Sequence, residues 1–218
     1  MIRPFQAGDR AAIRRICCET GDKGDPVESF FLDREIFSDL VTRYYTDFEP
    51  NGIWVVESDG QVVGYLTGTY DSGRYWRAIR RRVIPSVILQ GILRGTFLQR
   101  QTWRLLWAGL QTFLLGGLRK GPLLDEYPAH FHIDLLKEFR GRDLGRELVK
   151  RFEAEVSRRG VKGIHLVTRA DNTAGRRFFE QLGFTELGRR PVVRPVGAGY
   201  EADESVIYGK KVPDASMR

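Results

Sequence analysis

Apolar positions in this chain recur at two spacings, every second residue in some runs and every third or fourth in others, the periods of strand and helix. Met1 to Phe5 is expected to be a short strand. Ile13, Ile16 and Cys17 then share a helical face, with Asp9 as the expected N-cap and Gly21 near the stop. Residues 22–32 read as loop. Ile36, Phe37, Leu40, Val41 and Tyr44 predict a second helix from about Asp33 to Tyr45. Between Ile53 and Gly68, two β-rich runs flank Asp59-Gly60, a pair suited to the positive φ values of a tight hairpin turn. Pro128 to Leu136 predicts a strand with His130, His132 and Asp134 on one side and Phe131, Ile133 and Leu135 on the other. A loop from Lys137 to Arg142 leads into a helix from about Asp143 to Arg159, buried through Leu144, Leu148, Val149, Phe152 and Val156 and stopped by Gly160. Strand Gly163 to Thr168 precedes a helix with Asn172 as N-cap, running to Leu182 and ended by Gly183. Two last strands are expected around Phe184–Arg190 and Ser205–Lys211, with a frayed tail from Pro213. No repeat and no linker divides the chain, so a single domain over 1–212 is expected.

Residues 74–124 interrupt the β pattern and read as a helical insertion. The pattern predicts an amphipathic helix over 97–118, with Phe97, Leu98, Leu105, Leu106, Leu110, Phe113, Leu114 and Leu118 on one face and Arg100, Arg104 and Gln111 opposite. Pro85 argues against one uninterrupted helix through the preceding stretch. Charge sharpens the picture. The segment holds ten Arg and Lys, including Arg119 and Lys120, and no Asp or Glu, while the whole chain is only +7, so the remainder is net negative. Four roles are open to it: a lid whose apolar face packs on the core, a basic wall for an anionic ligand, attachment to an anionic lipid surface with Trp76, Trp103 and Trp107 as interfacial aromatics, or nucleic-acid binding. The last lacks any accompanying recognition motif, and no nucleic-acid partner is expected. The charge-free run Leu105 to Leu118 is too short to span a bilayer. Cys17 and Cys18 are adjacent, cannot form an ordinary bridge with each other, and read as packing residues in a reducing compartment. With no secretion signal at the N-terminus, a cytoplasmic location is expected.

One run carries chemistry: His132-Ile133-Asp134-Leu135-Leu136-Lys137-Glu138-Phe139-Arg140-Gly141-Arg142-Asp143-Leu144-Gly145-Arg146. A strand enters a glycine-containing turn that opens into a helix, and unpaired N–H groups at a helix start bind phosphate oxygens. Gly141 and Gly145 permit close backbone approach, and Arg140, Arg142 and Arg146 add positive charge. The same features would also serve an ordinary strand–helix connection. The run resembles the pyrophosphate-binding motif of the GCN5-related N-acetyltransferases, Arg/Gln-x-x-Gly-x-Gly/Ala, with Arg140 and Gly145 at its outer positions and Asp143 where the first Gly usually stands. A carboxylate there repels a diphosphate unless it turns away to cap the helix. Asn172-Thr173-Ala174-Gly175-Arg176-Arg177-Phe178-Phe179-Glu180-Gln181-Leu182-Gly183-Phe184 resembles the family's later signature, Asn-x-x-Ala-x-x-x-Tyr-x-x-x-Gly-Phe, with Gly175 for Ala and Phe179 for Tyr. Pro128 to Asp134 is also similar to the acetyltransferase-like domain of animal O-GlcNAc hydrolases and its stand-alone bacterial relatives.

The resemblance implies an α/β fold: a mixed, mostly antiparallel six- or seven-stranded sheet with a splayed parallel central pair, flanking helices and the helical insertion. It implies acetyl-CoA, or another acyl-CoA, as co-substrate and no metal. Leu135, Leu136, Arg140, Gly141, Arg142, Asp143, Leu144, Gly145, Arg146, Asn172 and Phe179 are the implied cofactor-binding residues, with pantetheine pairing to backbone near Leu135 and Leu136. The implied reaction is direct attack by a small-molecule or peptide amine, with Asp134 first and His132 second as base or amine-orienting group, and Glu126 and His130 in reserve. Phe179 cannot donate a proton to the leaving thiolate. Tyr208 or water would have to do so, or the thiolate leaves unaided. A catalytically silent acyl-CoA-binding domain and a membrane-surface adaptor are the alternatives, and the oligomeric state is open, a homodimer included.

Overall fold

The structure, a computed structural model, describes residues 1–117 and 123–213. Leu118, Arg119 and Lys120 of the basic segment, and the tail beyond Pro213, lie outside the described residues. The elements run β1 (Ile2–Pro4), α1 (Arg10–Thr20), α2 (Arg34–Phe48), β2 (Ile53–Ser58), β3 (Gln61–Thr69), α3 (Ser72–Ala78), α4 (Ile84–Leu93), α5 (Arg100–Leu114), α6 (Leu123–Glu126), β4 (Ala129–Leu135), α7 (Leu144–Arg158), β5 (Gly163–Arg169), α8 (Thr173–Gln181), β6 (Thr185–Val196) and β7 (Gly199–Lys211). Seven strands form one sheet in the order β1-β2-β3-β4-β5-β7-β6. Every neighbour pair is antiparallel except β4 and β5. One sheet face packs on α1, α2 and the α3–α4 stretch through residues such as Ile13, Tyr44, Tyr45, Tyr65 and Val83. The other packs on α7 and α8 through Phe131, Leu148, Phe152, Phe179 and Phe184.

The β4–β5 pair positions the site. It is joined only at Ala129↔Ile164 and His130↔His165. Beyond those residues each strand stays with its outer neighbour, β4 with β3 as far as Leu135↔Gly64 and β5 with β7 as far as Arg169↔Ser205. Two parallel strands held by opposite partners open a gap between them, and inner backbone edges that would have bonded each other face into it.

The hairpin turn forms as predicted, with Asp59 at φ 51° and Gly60 at φ 73°. Asp9 does not cap α1: its carboxylate accepts the Gln6 N–H at 2.8 Å and pairs with Arg3 at 2.7 Å, tying the β1 end to the helix start. Pro85 does not break the helical path either. A π turn over Ile79–Val83 links α3 directly to α4, and Pro85 falls in the first turn of α4, where a missing N–H costs nothing. The last two strands are longer than expected and pair from Thr185↔Gly209 out to Val196↔Gly199. Pro191 and Pro195 hide this extension in the sequence, yet β6 is an edge strand, where proline is tolerated.

The largest departure is α5. Its buried residues are Thr102, Ala108 and Thr112, and Leu106, Leu110, Phe113 and Leu114 face solvent. Among the described residues of the expected apolar set, Leu105 alone packs on the core. The helix docks through its polar face because Thr112 Oγ accepts the Val193 N–H of β6 at 2.9 Å and Arg104 donates to Gly199 O at 2.8 Å. A lid packing its apolar face inward is therefore not what this helix forms.

Candidate active site

The gap between β4 and β5 continues into a cleft of about 550 Å³ that ends at the start of α7. After Leu136 the chain makes a single turn of 3-10 helix over Lys137–Phe139, then passes Gly141 at φ 74° and Asp143 at φ 56° before α7 begins. These left-handed residues reverse the chain so that α7 points its N-terminus at the cleft head. The N–H groups of residues 141 to 146 have no partner among the described residues. Six consecutive free donors, at the positive end of a 15-residue helix, make an anion site by geometry and by dipole.

Asp143 occupies the αL position that explains a glycine there in the resembling motif, and Asp tolerates this conformation better than most residues. It does not cap α7 with its side chain. Its carboxylate turns outward instead, 90% exposed, with Arg146 Nε at 3.5 Å. The charge is thus held off the cleft by solvent and by its arginine rather than by a helix-cap bond. Asp143→Asn, which keeps the αL tolerance and removes the charge, is expected to tighten acetyl-CoA binding by about two- to fivefold, as befits a screened surface charge. A titration showing weaker binding would mean that the carboxylate contributes to holding the loop.

Leu135, Arg140, Gly141, Asp143, Gly145, Arg146, Asn172 and Phe179 all line the cleft, as do His132 and Asp134. Arg142 does not; its guanidinium stacks 5.2 Å over the Phe139 ring. Leu144 is absent from the lining and packs into the core beneath α7. Leu136 has no backbone group to spare, since its N–H donates to Val63 O at 3.0 Å and its carbonyl accepts from Phe139 N–H at 2.9 Å. By strand alternation, the backbone edges of Ile133 and Leu135 are the ones directed at the gap. Arg140 Nε holds the Leu135 carbonyl at 2.9 Å, and its other end grips Gly24 O at 2.9 Å, so this arginine ties the α1–α2 loop to the cleft head. Asn172 caps α8 by accepting the Gly175 N–H at 3.0 Å and donates to Thr168 Oγ at 3.1 Å, fixing the opposite wall. Thr168 and Phe178 also line this wall; Thr168 precedes the second motif, and Phe178 fills one of its unspecified positions.

The polar row of β4 divides by partner. His130 is a structural residue: Tyr45 Oη lies 2.9 Å from Nε2, and Ser72 Oγ lies 2.6 Å from Nδ1 while donating to Pro128 O at 2.7 Å. With the serine proton spent on that carbonyl, Nδ1 carries the imidazole proton and Nε2 accepts from tyrosine. Asp134 accepts the Tyr65 hydroxyl at 2.6 Å; burial pushes its pKa above the usual carboxylate range, against the pull of Tyr65, Thr20 and Arg140. His132 is pushed down to about 4, by surrounding protein first and His165 second. Its ring nevertheless opens to the cleft, where water offsets part of that penalty. Glu126 sits away from the cleft, exposed and paired with Lys211 at 2.8 Å.

His130, buried, and His165, half-buried, have pKa values lowered by burial. The folded chain therefore binds fewer protons than the unfolded chain once pH falls below the ordinary histidine value of about 6.5. Stability from these rings is complete above that value and drains away as pH drops through their folded values. Urea midpoints are expected to fall steadily between about pH 7 and about pH 5. Midpoints that stay level would mean the rings titrate normally.

A second cavity, of about 760 Å³, lies beyond the end of β5 and is lined by Asp22, Lys23, Arg169, Asp171, Arg194 and α5. Arg169 meets Asp22 and Asp171 at 2.7 Å each, Arg194 meets Asp203 at 2.7 Å, and Lys23 meets Asp171 at 3.0 Å. Three carboxylates thus balance three cations and lock the α1–α2 loop to β5 and the β6–β7 hairpin. Among the described residues, no three His, Cys, Asp or Glu side chains converge as a metal site.

The model of the FR47-like protein family matches residues 123–192, which contain the cleft strands and the α7 start. The crystal structure of SsHAT superposes with a TM-score of 0.73 at 27% identity, covering 98% of each chain. YncA, a putative acetyltransferase from Salmonella typhimurium solved with its cofactor acetyl-CoA, superposes with a TM-score of 0.59 at 19% identity, covering 99% of this chain and 98% of its own. An N-acetyltransferase from Staphylococcus aureus Mu50 gives a TM-score of 0.57 at 13% identity, covering 97% and 98%. The last two share the fold.

Proposed function

We propose that this chain, a member of the GCN5-related N-acetyltransferase superfamily by fold and by its FR47-like segment, transfers acetyl from acetyl-CoA to a primary amine. The six unpartnered N–H groups of residues 141 to 146 carry the reading. They suit the diphosphate of CoA, with Arg140 and Arg146 beside them and Gly145 leaving room for close approach. Pantetheine would run down the gap against the backbone of Ile133 and Leu135. A donor from the same edge would meet the thioester oxygen as it gains charge. The amine attacks directly, and it must first lose a proton because its ammonium pKa is about 10. Asp134 is the residue we assign to receive that proton, with His132 orienting the amine at the cleft mouth.

Tyr208 is not suited to the acid step, because its buried hydroxyl donates to Glu180 at 2.7 Å and accepts from Arg176 at 3.2 Å. Phe179, walled by Phe131, Phe178 and Phe184, offers no proton. The thiolate leaves unaided in this scheme, since a thiol is acidic enough (about 8.5 for the cysteine side chain) for its anion to be a fair leaving group. The acceptor would arrive through the second cavity, where Leu105, Gly109 and Thr112 of α5 form one wall. The Pro128–Asp134 run supports, within the superfamily, a kinship with the acetyltransferase-like domain of O-GlcNAc hydrolases. A cytoplasmic location fits the free, buried Cys17 and Cys18.

Single-turnover release of CoA thiol with a panel of amines tests the proposal. Release that depends on one amine class is expected. Tight acetyl-CoA binding with no turnover would favour a silent acyl-CoA-binding domain, the reading that Phe179 supports.

A further inference from the structure

The basic helical segment wears its hydrophobicity outward. On α5, Trp103, Leu106, Trp107, Leu110, Phe113 and Leu114 recur at helical steps, and all are exposed, Phe113 by 61% and Leu114 by 72%. α4 repeats the arrangement: Ile84, Ile88, Leu89, Ile92 and Leu93 are exposed while Val87 and Gly91 pack inward. Ordinary surface helices hide such faces, and contiguous exposed apolar surface marks a place of contact.

The charge around these faces indicates the occupant. Arg77, Arg80, Arg81, Arg82, Arg94 and Arg100 are exposed on the same segment, which contains no acidic residue. Among the described residues only Arg77 and Arg94 of the segment meet a carboxylate, Asp71 and Asp33. A second copy laid on this face would bring two arginine collars together with no carboxylate on either segment to offset them. Nucleic acid would match the charge but has no apolar layer for leucine, isoleucine and tryptophan to enter. An anionic bilayer supplies both, negative headgroups for the arginines and acyl chains for the apolar stripes.

We propose that α4 and α5 dock this protein onto the surface of a membrane rich in anionic lipid. The helices lie in the headgroup plane, since none among the described residues is long and apolar enough to cross a membrane. Vesicle flotation of the full chain tests this, using phosphatidylcholine with and without phosphatidylserine at low and high salt, beside light scattering of the lipid-free protein. Capture is expected on the serine-containing vesicles at a level at least about tenfold above phosphatidylcholine alone, with loss at high salt and a blue shift of tryptophan emission. Trp107→Gln/Leu110→Gln/Phe113→Gln and Arg80→Gln/Arg81→Gln/Arg100→Gln should each lose capture while keeping the wild-type thermal transition. Should either triple variant misfold, Phe113→Gln or Arg100→Gln alone serves, with partial loss expected. No capture by anionic vesicles, capture that ignores the variants, or equal capture by neutral vesicles would overturn the proposal. So would a lipid-free dimer that the apolar variant dissociates, which would give the face to a second copy.

Discussion

Gly145→Glu is expected to remove measurable acetyl-CoA binding, a loss of at least about 100-fold in affinity, or about 2.7 kcal/mol, by isothermal titration. A Cβ built on Gly145 would already stand 3.1 Å from the Phe178 ring tip and 3.7 Å from Ile133 Cδ1, both on the cleft wall. A glutamate extends from there into the space before the free N–H groups, adding bulk and bringing a carboxylate to where the diphosphate would sit. Gly145→Ala separates the two causes. It asks the Phe178 ring to give by a few tenths of an ångström and brings no charge, so a loss nearer about threefold is expected. Helix stability should rise by up to about 1 kcal/mol in the alanine variant, because glycine is the poorer helix former. Falling affinity with level or rising stability is the signature of a binding role. Glutamate and wild type binding alike would remove the phosphate site, and with it the proposed reaction.

Asp134→Asn is expected to lower turnover by about 10²–10⁴-fold while acetyl-CoA affinity stays level, since the group is assigned to the proton of the amine and not to CoA. The same change should stabilise the fold. Burial raises the Asp134 pKa, so the folded state disfavours its charged form. The penalty is present in full above the folded pKa, shrinks as pH falls through it, and vanishes below the unfolded value of about 3.9. Asparagine carries no charge to bury and can still accept the Tyr65 hydroxyl. Activity and stability thus move in opposite directions, an outcome that a merely structural aspartate would not give. In the wild type, kcat/KM should climb with pH through the raised Asp134 pKa, and that limb should be missing in the asparagine variant. Tyr65→Phe removes the 2.6 Å hydrogen bond that favours the carboxylate, so the limb should shift to higher pH. Unchanged turnover in Asp134→Asn would pass the role to His132.

The elements that the sequence predicts well are those whose cause is local. Asp59-Gly60 turns because two consecutive residues accept positive φ, Asn172 caps because its side chain reaches the third N–H ahead, and Gly160 and Gly183 stop helices by taking left-handed conformations. Motif spacing likewise marked most of the cleft residues, since a strand, a glycine turn and a helix start are consecutive in the chain. Asp9 misled because a nearby arginine competed for its carboxylate. The strand extension through Pro191 and Pro195 was hidden because proline is forbidden or tolerated according to whether the strand is central or at an edge.

Sequence by itself determined the alternation of strand and helix, the donors gathered at residues 141 to 146, and the concentration of arginine without carboxylate in the insertion. Tertiary structure alone decided that β4 and β5 part after two residue pairs, that the Leu136 backbone is spent on Val63 and Phe139, and that Asp143 faces solvent. It also decided that α5 turns its threonine face to β6 and its tryptophans outward. Each of these depends on which distant segment supplies a partner, and hydrophobic periodicity reports that a helix has two faces without saying which one the rest of the chain will cover.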